Sequence, residues 1–362
     1  MKNMTNRTLK LGFVPLTDSA PLITALKRGY FAELGLDVEL CPQNSWSTLR
    51  DKLQSGMLDA AQLLAPMPLA STLGLDGAKV AMKVPLVLSQ NGNAITLSKH
   101  LVDEVLSLNK LSDLPFPMPA KLLQASVDKR KKEGKEKLRL ASVFPYSCHQ
   151  YQINDWLRQA NLLEHVDVIT LPPSAMAESL VAGMIDGFCV GGPWNAKSVR
   201  EESGVTVLTS YHIWKDKTEK VLAVTELFFD QNPELLIRLV TALIKACEWL
   251  EPQINRFEAA RWLQQSALSD EPLDTIAPSL LGSCITQATK SPQLVPNYNR
   301  FMSSIEESIN RPLDIGQKWI LTKMREANQI SISVKSIELD KLAVFENSIF
   351  DEAMKRIKEA QL

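Results

Sequence analysis

The chain has 362 residues, of which 45% are hydrophobic and 22% charged, and its formal net charge is −1. That length can bury more than one core, and the balanced charge and apolar content exclude a disordered chain or a generally basic nucleic-acid binder. The five cysteines, Cys41, Cys148, Cys189, Cys247 and Cys284, are scattered without a CxxC pair, so they read as reduced, buried small hydrophobes and neither a metal site nor a cofactor is expected.

The opening MKNMTNRTLK runs straight into LGFVP, which is too short and too early for a secretory apolar segment. No later stretch has the ~20 consecutive apolar residues that cross a bilayer. The expectation is therefore a cytoplasmic chain with no membrane insertion. LKLGFVP (9–15) reads as a strand, TDSAPLITALKRGYFAELGL as a capped helix, and DVELCPQ as a second strand. SWSTLRDKLQSGMLDAAQLLAP then gives a helix closed near Gly56 and a strand around Ala60 to Leu64. Alternating strands and helices predict parallel α/β construction, with functional loops at the carboxyl ends of the strands.

The rhythm returns with LRLASVFP (138–145), the helix YSCHQYQINDWLRQANLL, the strand VDVITLP, and PSAMAESLVAGMIDGFCVGGPW. Residues 47–62 and 174–189 align as serine-led helices ending in glycine, methionine, an aliphatic residue and aspartate. Two similar lobes are the economical explanation. Met57 and Met184, at matching positions, read as core residues, as do Cys148 and Cys189. Between the lobes DKRKKEGKEK reads as a solvated helix face or turn. Strand-like sequence follows Val205, and from Asn232 onward the pattern is mainly helical. The expected division is a discontinuous first lobe, 9–98 plus 210–362, and a second lobe, 99–209.

Neither phosphate-binding nor dinucleotide-binding glycine motifs occur, and HExxH and GxSxG are missing too, so no catalytic residue is assigned and no enzyme is expected. The ordered set GFVPLTDSAPLITALKRGYFAELGLDVEL, SWSTLRDKLQSGMLDAAQLLAPMPLA, NGNAITLSK, FPYSCHQY, GGPWN and EKVLAVT resembles the nitrate/bicarbonate-binding family of ABC-transporter solute receptors. It is most similar to the family's nitrate-binding branch and to cytoplasmic nitrate/nitrite sensors. The resemblance implies an α/β, two-lobed periplasmic-binding-protein fold (Venus flytrap), with a planar anion in an interlobe cleft and a helical C-terminal extension.

Residue by residue, the resemblance places the pocket tryptophan at Trp46, an amide at Asn93, the histidine at His149, the glycine turn at Gly191 and Gly192, and the lysine at Lys220. Arg50 and Gln90 are further candidates. Taken alone, Trp46 packs a helix start, Asn93 forms a turn, and Lys220 faces solvent. A nitrate site needs convergent N–H donors, a fixed positive charge and a flat aromatic surface, which these residue types supply. Bicarbonate carries a hydroxyl that wants an acceptor, and the matched loops offer no obvious acid, which leans toward nitrate or nitrite. Asp18, Glu178 or Glu219 would alter that if turned inward. The cytoplasmic branch implies a nitrate/nitrite sensor that holds an ANTAR-domain antiterminator protein and releases it on binding the anion, with no direct nucleic-acid contact. The alternatives are a solute-binding component of a nitrate or bicarbonate ABC transporter, and a small-heteroaromatic precursor-binding protein or enzyme on the same fold.

Overall fold

A computed structural model describes residues 7–302, 309–331, 339 and 341–361. Its contacts divide the chain into two compact units, the first drawn from the described parts of Met1–Gln90, Lys217–Ser269 and Arg300–Leu362, the second from Asn91–Asp216 and Asp270–Asn299. The sequence reading sets the crossovers at 98/99 and 209/210, whereas contacts set them at 90/91 and 216/217 and return 270–299 to the second unit. The reason lies in strand pairing. Residues 93–98, assigned by sequence to the first lobe, hydrogen-bond on both sides to strands of the second unit.

The first unit holds β1 (Leu9–Phe13), β2 (Val38–Pro42), β3 (Ala60–Leu64), β4 (Met82–Asn91) and β10 (Thr218–Thr225). With the short edge strand Asn299–Arg300 they form one sheet, ordered Asn299–Arg300, β4, β10, β3, β1, β2. β1 runs parallel to β2 and β3, while β10 is antiparallel to β3 and β4. Every residue of β3 is buried, the polar Gln62 among its apolar and small neighbours included. Helices Pro233–Trp249, Gln253–Gln264, Asp314–Glu326 and Ser348–Gln361 supply the helical C-terminal part.

The second unit holds β5 (Asn93–Ser98), β6 (Leu138–Ser142), β7 (Val166–Thr170), β8 (Gly187–Gly191) and β9 (Gly204–Thr209), ordered β7, β6, β8, β5, β9. β6 runs parallel to β7 and β8, and β5 is antiparallel to β8 and β9. Its core is built around Leu97, Leu140, Ile153, Trp156, Cys189 and Val207.

The two glycine, methionine, aliphatic, aspartate segments do the same work in the two units. Gly56 and Gly183 end their helical stretches at φ +73° and +67°, a conformation that glycine adopts without a Cβ clash. Three residues on, Asp59 accepts the Lys10 N–H at 2.8 Å and pairs with Arg7, while Asp186 accepts the Arg139 N–H at 2.8 Å and pairs with Arg130. Each aspartate thus fastens the amino end of a strand next to the edge of its unit's sheet, β1 or Leu138–Ser142. The methionines differ from the sequence expectation: Met57 is 62% exposed and Met184 57%. A residue directly after a left-handed glycine leaves the helix face and points to water, while the following Leu58 and Ile185 are buried.

Candidate functional site

In each unit the parallel strands end at one sheet edge, and the predicted residues gather there. In the first unit Ser45, in extended backbone, accepts the Thr48 N–H and caps the helix Trp46–Gln54. Trp46 is therefore the first helical residue beyond the carboxyl end of β2. Lys220 reaches the same edge because β10 runs back antiparallel, pairing Lys220 with Leu64, the last residue of β3. The pairing of β10 with β4 shifts register on either side of Lys220, an irregularity that re-aims a side chain.

Lys220 is 0% exposed, and its Nζ lies 3.0 Å from Asp18 Oδ2 and 3.0 Å from Glu219 Oε1. It also sits 5.6 Å from the centre of the Trp46 ring. Asp18, in the turn after β1, accepts further bonds from Gln62 Nε2, at 3.0 Å to its carbonyl and 3.3 Å to Oδ1. Burial alone lowers the Lys220 pKa, but Asp18 and then Glu219 outweigh it and hold the ammonium above its usual value. Lys220 is thus a permanently charged, dry cation, not the solvent-facing residue that its sequence setting suggests. The indole nitrogen of Trp46 is buried with no hydrogen-bond partner among the described residues, as is Gln62 Oε1.

The acids change the argument about the ligand. The lean toward nitrate rests on matched loops that offer no obvious acid, yet Asp18 and Glu219, named as exceptions if turned inward, are both buried against Lys220. Arg50 is committed elsewhere, with Asp51 at 2.7 Å and Asp76 as its partners. Gln90 accepts from Arg300 Nη1 at 3.4 Å, where β4 ends.

In the second unit the same local logic repeats. Ser147 caps the helix Cys148–Arg158 by accepting the Gln150 N–H at 3.1 Å, which makes His149 its second residue. His149 is 0% exposed. Asn93 begins β5 and pairs in register with Gly191, the last residue of β8, so the predicted amide and glycine turn share one edge. Asn93 Nδ2 donates to Gln152 Oε1 at 3.2 Å, and its backbone N–H to Ser210 Oγ at 3.3 Å. Its Oδ1 is buried without a hydrogen-bond partner among the described residues. Gln152 lies one helical turn after His149, so the i, i+3 spacing on a helix was the available signal for it. Ser210 and Gln62 carried no comparable sequence signal.

Among the described residues no group of His, Cys, Asp or Glu is arranged to hold a metal ion, and no helix is long and apolar enough to cross a membrane. Residues 2–264 match the model of the NMT1-like family. The chain is 31% identical, over 86% of its length and 70% of the relative's, to the nitrate/nitrite binding protein NrtA of Synechococcus elongatus. It is 32% identical to the bicarbonate transport ATP-binding protein CmpC of the same species, over 91% of this chain and 47% of that relative. The chain spans about half the length of such ATP-binding relatives. The crystal structure of the periplasmic nitrate-binding protein NrtA from Synechocystis superposes with a TM-score of 0.86 at 26% identity, covering 97% of this chain and 89% of that one.

Fold and relatives are those of solute-binding and transport proteins, not of enzymes. They also correct three expectations: the cytoplasmic sensor branch, the ANTAR-domain partner and the cytoplasmic location. The relatives are named for bicarbonate transport and for nitrate/nitrite binding, and the solved one is periplasmic. Those expectations rest on the opening MKNMTNRTLK and on the likeness to cytoplasmic sensors, and residue types suited to a ligand, such as those at Trp46, His149 and Lys220, specify neither compartment nor partner. The chain belongs to the NMT1-like family, to which its likeness to the nitrate/nitrite binding protein NrtA also points.

Proposed function

We propose that this chain is the anion-binding component of an ABC-type importer for nitrate or bicarbonate and works outside the cytoplasm. The observation that carries the reading is Lys220, an ammonium at 0% exposure placed at the carboxyl edge of its sheet against Trp46. A dry, fixed cation beside a free indole N–H suits a small planar oxyanion, since both donors act in a low-dielectric setting. On this reading Trp46 and Lys220 are the anion-binding groups of the first unit, and Asn93, His149 and the backbone at Gly191 and Gly192 are those of the second, each set described within its own unit. Arg50 takes no part, because two carboxylates already hold it.

A second reading, bicarbonate over nitrate, is favoured by one specific arrangement. Lys220 is shared by Asp18 and Glu219, so a ligand oxygen meets one cation and two carboxylates. Nitrate offers only acceptors, whereas the hydroxyl of bicarbonate can donate to a carboxylate. Isothermal titration of the full chain with nitrate, nitrite and bicarbonate separates the cases. Saturable 1:1 binding of at least one is expected. Binding of none sinks the importer reading, and nitrate binding tighter than bicarbonate sinks the second.

A further inference from the structure

Trp194 stands in the GGPWN turn and takes no part in the site as described so far. It is the first residue of the helix Trp194–Arg200 and is 8% exposed, and its indole nitrogen is buried with no hydrogen-bond partner among the described residues. The turn is pinned in place. Asn195 Nδ2 donates to the Val190 carbonyl at 2.8 Å, and Asn195 Oδ1 accepts from Thr96 Oγ1 at 2.8 Å.

The setting repeats that of Trp46 in the other unit. Each tryptophan opens the helix that follows a strand of its unit's parallel set, Trp46 after β2 and Trp194 after β8. Each has a buried indole nitrogen without a hydrogen-bond partner among the described residues. Each carries a lysine over the ring, Lys220 at 5.6 Å and Lys197 at 5.4 Å. Each lysine is paired with a buried carboxylate, Lys220 with Asp18 at 3.0 Å and Lys197 with Glu271 at 2.7 Å.

An indole N–H can only donate, and buried donors in native proteins are almost always paired. The group that completes Trp194 must therefore bring an acceptor. Gly191, three residues earlier, is in register with Asn93, so Trp194 leaves the sheet at the edge that carries the second unit's other ligand groups. We propose that the Trp194 indole N–H is an anion-ligating donor of the second unit and binds the same oxyanion as Asn93 and His149. This rests on the anion-binding reading above.

The test uses the full chain with 15N-labelled tryptophan, whose seven indole groups give separate N–H signals. Trp194→Phe keeps an aromatic ring, deletes the donor and identifies its signal; Trp194→Leu deletes it too if the phenylalanine chain does not fold. Titration with sodium nitrate and sodium bicarbonate is expected to move the Trp194 signal in step with calorimetric saturation. The donor-deleted variant is expected to bind about ten-fold to a hundred-fold more weakly, the loss of one hydrogen bond to a charged group. If the native chain binds an anion while the Trp194 signal stays fixed and the variant binds equally well, the assignment is wrong and the anion reading survives. If the native chain binds none of these anions, both fall.

Discussion

Lys220→Met tests the buried cluster most directly, and its magnitude follows from what the lysine touches. The substitution removes the cation that lies 3.0 Å from both Asp18 and Glu219, each only 1% exposed. Removing one partner of a buried ion pair costs about 3–5 kcal/mol, because the remaining charge is left dry and uncompensated. That is a large share of the roughly 5–15 kcal/mol that holds a domain together. For a body of about 200 residues, 1 kcal/mol shifts the melting temperature by about 2–4 °C, so a drop of about 6–20 °C is expected by calorimetry or circular dichroism. Loss of anion binding in this variant alone would therefore be ambiguous. The triple variant Lys220→Met, Asp18→Asn, Glu219→Gln removes the charges together and is expected to recover most of the stability while still binding at least ten-fold more weakly. A single variant that melts within about 2 °C of the native chain would refute the buried cluster. A triple variant with native affinity would refute the role of the charge in binding.

Other consequences are independent of that cluster. Lys220 has its pKa raised in the folded chain, so its stabilisation is complete below the unfolded value of about 10.4 and is lost only as pH rises through the higher folded value. Stability and affinity should accordingly show no step from Lys220 between about pH 6 and 9, and a lysine-type loss within that window in native but not triple-variant chain would contradict the assignment. Asp59→Ala and Asp186→Ala each remove the acceptor for a strand N–H and should cost about 1–3 kcal/mol in urea denaturation, with anion affinity unchanged. Met57→Gln and Met184→Gln should change stability by no more than about 0.5 kcal/mol, since both side chains face water; a core-sized loss would show them buried.

How far the sequence carries is clearest at particular residues. The strands and helices around Ser45, Gly56, Ser147 and Gly183 were legible, because caps and helix ends depend on a few neighbouring residues. The place of Trp46 at a helix start was legible for the same reason, while its place at the site came from the family resemblance. Asp18 was named only as a residue that might turn inward, and its contact with Lys220 was not readable. Their separation in the chain is closed only when β10 returns antiparallel beside β3. Compartment was misread from the opening MKNMTNRTLK and partner from the sensor resemblance, and the residue types suited to an anion fix neither.

By itself, then, the sequence determined the α/β alternation, the repeated capping and glycine stops, and the residue types suited to a planar anion. The first two rest on local backbone preference and on the periodicity of apolar residues, and the last on the family resemblance. The tertiary structure decided the rest: that β5 belongs with β8 and β9, that Met57 and Met184 face solvent, and that Lys220 is buried between two carboxylates. Burial and pairing of charges depend on contacts between residues distant in the chain, and no local pattern encodes them. The same holds for GGPWN, whose tryptophan acquires a counterpart in Trp46 only when both are seen opening helices at the carboxyl edges of their sheets.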